Sequence, residues 1–124
     1  MPVLNAGERE VYEMHGSRFD SYVAPSRGSR ELCAWRTTIA SGQAGTAHVV
    51  DHEEVFLVLE GAPVVALDGH SVAAEPGWVI LVPAGSSVRL DNPHTEAAVI
   101  WVCTVVGLTA TTAAGEAISP PWVQ

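Results

Sequence analysis

Short apolar runs alternate with turn signals along most of the chain. Residues 30–40, RELCAWRTTIA, carry β-branched and aromatic side chains and stop at Ser41-Gly42-Gln43-Ala44-Gly45. Residues 46–50 form a short run, and 54–60, EVFLVLE, a strongly apolar one that stops at Gly61. Residues 63–67 lead into Asp68-Gly69, a dipeptide favouring a type I′ hairpin turn, so 70–75 run back antiparallel. Further strands are predicted over 78–82, 86–90 and 97–106, separated by Pro83-Ala84-Gly85 and Asp91-Asn92-Pro93. Residues 8–14 and 18–24 supply two more. No segment between 30 and 106 keeps a helical apolar period. Many short strands at this spacing predict an all-β sandwich or barrel. The tail from 107 to 124 is small and polar, Ser119-Pro120-Pro121 forbids a helix or central strand there, and it reads as irregular. Trp122 is either loose or docked on a neighbour.

Chemistry enters at His48, His52 and Glu54. Their equal parity puts all three on one face of an extended strand, with Val50, Phe56 and Val58. A kink near Asp51 would turn His52 away. Two histidines and a carboxylate among apolar side chains are costly to bury without a purpose. The strand over 30–40 adds Trp35, Arg36, Thr37 and Thr38, and the sequence leaves open which of them face inward. His15, His70 and His94 sit beside turns and read as solvated, although His94 lies where a barrel mouth could be. Cys33 and Cys103 are isolated among apolar neighbours and read as buried small hydrophobes.

Glycine, proline and the surviving polar residues carry a resemblance. Gly42, His48, Glu54 and Gly61 fall on the spacing of the first motif of the cupin superfamily, and Gly77, Pro83, Gly85 and Asn92 on that of the second. The chain resembles a small single-domain cupin spanning 1–124, with the barrel over about 30–106 and the strands of 8–24 extending a sheet. The resemblance implies a double-stranded β-helix, or jelly-roll barrel, and a homodimer, for which strand 97–106 and the Trp122 tail offer interface material. Typical metal-binding cupins hold an ion with three histidines and the glutamate. Two of those histidine positions are Val50 and Val88 here. The resemblance therefore implies either no cofactor or one divalent ion (Zn, Fe, Ni or Mn) held by His48, Glu54 and an offset His52, a facial triad.

Composition narrows the field. The 124 residues contain no lysine, which removes Schiff-base, pyridoxal-phosphate and P-loop chemistry. A net charge of −8 with six scattered arginines offers no basic patch for nucleic acid. No apolar stretch is long enough to span a membrane, and the acidic N-terminus has no signal-peptide core, so a cytoplasmic location is expected. Three function classes fit. The first is a non-oxidative enzyme, polyketide-cyclase-like, that cyclises, isomerises or dehydrates a small hydrophobic carbonyl compound. His48 and Glu54, with His52 beside them, would move protons in a pocket of Val50, Phe56, Val58, Val88, Trp35, Arg36 and Trp101. The second is a metal-dependent oxygenase on His48, His52 and Glu54. The third is a non-catalytic small-molecule-binding barrel.

Overall fold

The computed structural model describes residues 3–124; Met1 and Pro2 lie outside the described residues. Twelve strands are described: β1 (Glu10–Met14), β2 (Ser17–Val23), β3 (Leu32–Ile39), β4 (His48–Val50), β5 (Glu54–Glu60), β6 (Val64–Leu67), β7 (His70–Ala73), β8 (Val79–Val82), β9 (Ser87–Asp91), β10 (Ala98–Val105), β11 (Ala110–Thr112) and β12 (Ala117–Ile118). They build two six-stranded antiparallel sheets, ordered β1-β2-β3-β10-β5-β8 and β12-β11-β4-β9-β6-β7. The strand spacing predicts an all-β sandwich or barrel, and the arrangement is the jelly-roll that the resemblance implies. The hairpin turn forms as predicted, with Asp68 and Gly69 both at positive φ (49° and 83°) between β6 and β7.

Inward positions of both sheets meet in one core. Val50, Val58, Val65, Val82, Val88 and Ile100 are each at most 1% exposed, so alternation along each strand is obeyed where it counts. Asn92 explains its place in the motif: its buried amide donates to the carbonyls of Ile39, Ala40 and Glu96 (3.1, 3.2 and 2.8 Å). It thereby ties the end of β3 to the turn before β10. Gly45 allows the segment leading into β4 to lie against β9, because a Cβ there would sit 2.1 Å from the Leu90 carbonyl oxygen.

The outer face of the first sheet divides in two. Over β2 and β3, the Asp20 carboxylate is buried and accepts from Arg9 Nε (2.9 Å), Arg18 Nε (2.8 Å) and Arg36 Nη2 (3.2 Å). Burial pushes the Asp20 pKa up, but the three guanidinium hydrogen bonds outweigh it and hold the carboxyl below its usual value. Over β10, β5 and β8 the outward positions are apolar, and Val55 faces Leu81 while Leu57 faces Val79.

Two expectations change here. The tail is ordered: β11 pairs with β4 and β12, and Trp122 is buried in its own chain, stacked on Phe19 with ring centroids 4.3 Å apart. Strand β10 is central, hydrogen-bonded to β3 on one side and β5 on the other. Neither Trp122 nor the backbone edges of β10 are therefore free to form an interface. No helix among the described residues is long and apolar enough to cross a membrane.

Candidate active site

A cavity of about 620 Å³ opens between the two sheets. Phe19 of β2, Trp35, Thr37 and Ile39 of β3, Phe56 of β5 and Trp122 of the tail give it largely apolar, aromatic walls. Four titratable side chains line it, His15, His48, Glu54 and Glu116, and of these Glu54 on β5 and His48 on β4 enter from opposite sheets.

Glu54 occupies the first inward position of β5, opposite Val82, and is 5% exposed. No hydrogen bond or ion pair reaches its carboxyl among the described residues, and burial alone pushes its pKa up to about 7. A carboxyl so placed is available as an acid near neutral pH. His48 is half-buried and opposite Val88. Its Nδ1 lies 3.0 Å from the Thr46 carbonyl oxygen. A carbonyl only accepts, so in the neutral ring this bond places the hydrogen on Nδ1 and the lone pair on Nε2. No hydrogen bond joins the two side chains among the described residues, and both line the same cavity.

Phe56 and Trp35 line the cavity as expected, but other expected positions are corrected. His52 is exposed: the chain bends at Asp51-His52, ending the alternation, and His52 Nδ1 bonds Asp51 Oδ1 at 2.8 Å. Asp51 is itself held by the Thr109 amide (2.7 Å). Arg36 points to the outer face, where it joins Asp20. Trp101 also faces outward and packs on Tyr22 (5.5 Å between ring centroids). Val50, Val58 and Val88 are core residues off the cavity wall. His94 and His70 are exposed and do not line this cavity. His15, read as solvated, is exposed at the cavity rim, in the turn between β1 and β2. Its positive φ of 53° hints at a special turn, but nothing in the sequence points that turn at the cavity.

The cupin domain family matches residues 35–105. The chain is a cupin. No curated protein matches its sequence. Among solved structures, this cupin is similar to the polyketide cyclase RemF from Streptomyces resistomycificus, with a TM-score of 0.76 at 14% identity, covering 85% of this chain and 79% of that one. An RmlC-like cupin from Shewanella frigidimarina gives 0.74 at 19%, covering 85% and 90%. Salicylate 1,2-dioxygenase from Pseudoaminobacter salicylatoxidans, in adducts with gentisate, gives 0.66 at 20%, covering 77% of this chain and 26% of that one. At these identities the likeness is one of fold.

The donor set does not fit a tightly held metal. No three His, Cys, Asp or Glu side chains gather into a metal-binding group among the described residues. Val88, opposite His48, and Val50, two residues along from it, offer only hydrocarbon, and His52 is turned away. A divalent ion on His48 and Glu54 alone lacks the third protein donor of a stable site.

Proposed function

We propose that this cupin catalyses non-oxidative proton transfer on a small hydrophobic carbonyl compound, in a cyclisation, isomerisation or dehydration. The observation that carries the reading is Glu54: an unpartnered carboxyl, half-ionised near pH 7, facing His48 across an aromatic cavity. In the step proposed, His48 Nε2 takes a proton from the carbon beside the carbonyl. The C–H electron pair becomes the C=C of an enol as protonated Glu54 gives its proton to the carbonyl oxygen. The enol O–H proton then returns to Glu54 as the electron pair goes to another carbon, to a second carbonyl carbon or to expulsion of a β-hydroxyl, and His48 gives its proton to that carbon, to the new alkoxide or to the departing hydroxyl, which leaves as water. The cavity walls exclude water and hold flat substrates. The fold shared with a polyketide cyclase supports this class, and the missing third donor disfavours the oxygenase reading.

Deuterium exchange beside the carbonyl, followed by NMR over a panel of aryl ketones and β-diketones, tests the proposal. His48→Ala is expected to slow exchange by about 10²-fold or more, with the thermal midpoint moving only a few degrees because the ring is half-buried. Unchanged exchange in His48→Ala sinks it. Ligands that bind without exchange in the parent protein would establish the binding-barrel reading instead. Stoichiometric metal in protein purified without added ions would overturn the donor-set argument.

A further inference from the structure

One buried hydroxyl in the cavity lacks an acceptor. Trp35 Nε1 donates to Thr37 Oγ1 at 3.0 Å, and both residues are 5% exposed and line the cavity. An indole N–H can only donate, so Thr37 Oγ1 accepts in this bond and its own hydrogen must go elsewhere. No acceptor for it is found among the described residues. Valine would fill the same shape without the penalty of a buried, unmatched O–H. We propose that Thr37 anchors the ligand by donating its hydroxyl hydrogen to a ligand oxygen, with Trp35 polarising the hydroxyl.

Register gives the anchor a distance. Thr37 faces Ile100, which faces Val58, and Glu54 lies four residues before Val58 on β5. Two strands across and four residues along place Thr37 and Glu54 roughly 16 Å apart at Cα on ideal spacings. A carbonyl compound that meets both side chains is elongated, with an oxygen acceptor far from its reacting end, and the aromatic walls suit flat rings. This deepens the reading above and rests on it.

The test uses a pair of three-ring probes, 9,10-anthraquinone with carbonyl acceptors and anthracene without them, titrated by tryptophan fluorescence. Thr37→Val is expected to weaken anthraquinone about three- to tenfold and leave anthracene within about twofold. Thr37→Ser, which restores the hydroxyl, is expected to regain the anthraquinone affinity, and circular dichroism confirms folding of both variants. Equal weakening of both probes, or none, overturns the anchor while the ligand cavity stands. Failure of both probes to bind the parent protein overturns both.

Discussion

Glu54→Gln is expected to melt well above the parent protein at pH 8 and together with it at pH 4. The carboxyl stays protonated in the folded chain up to about pH 7, whereas in the unfolded chain it ionises near its ordinary value of 4.5. Between these values the folded state binds the extra proton. Stability therefore falls as pH rises through that window and is flat above it. The difference corresponds to roughly 3 kcal/mol, on the order of 10 °C in thermal midpoint for a domain of this size. Glutamine carries no charge at either pH and escapes the penalty. Turnover moves the other way, falling at least about 10²-fold because the amide has no proton to give. In the parent protein the rate is expected to fall above pH 7 as the acid form disappears. Thermal melts of both proteins from pH 4 to 9 decide the matter. A constant offset between the two curves would show that Glu54 does not carry the proton.

Trp122→Ala is expected to lose about 3–5 kcal/mol, because a large buried ring leaves a hole between Phe19, Tyr12 and Trp35. The midpoint drops by roughly 10 °C or more. Trp122→Phe is expected to lose less than half as much. Its smaller ring keeps the stack on Phe19, and it removes an indole N–H that is buried without an acceptor. Calorimetry of the two variants separates ring packing from the N–H. If Trp122→Ala melts within two degrees of the parent protein, the tail is not docked in solution.

Much of the barrel was legible because period-two alternation and Gly/Pro turns are local signals. Every strand from β1 to β10 lies within a residue or two of where they put it. Glu54 was legible for the same reason. For His52 the sequence offered two outcomes, in line or turned out by a kink near Asp51, and could not choose between them, because the bend is clamped by the Thr109 amide, which no local pattern announces. Arg36 and Trp101 lie on strands with apolar residues on both faces, so parity alone could not orient them. What decides is Asp20 for one and Tyr22 for the other, each brought by the N-terminal strands. The tail has low strand propensity, and β11 exists because β4 offers it a backbone partner.

The arginine cluster on Asp20 also bears on what can enter the cavity. Three of the chain's six arginines are committed to that one carboxylate, and Arg27 and Arg89 pair with Glu10 and Asp91. No arginine lines the cavity, while Glu54 and Glu116 do. An anionic ligand therefore finds no guanidinium to pair with inside the cavity, and burying its charge there goes uncompensated. Uncharged molecules meet no such penalty. A product that gains a carboxylate is thus held less tightly than its uncharged precursor.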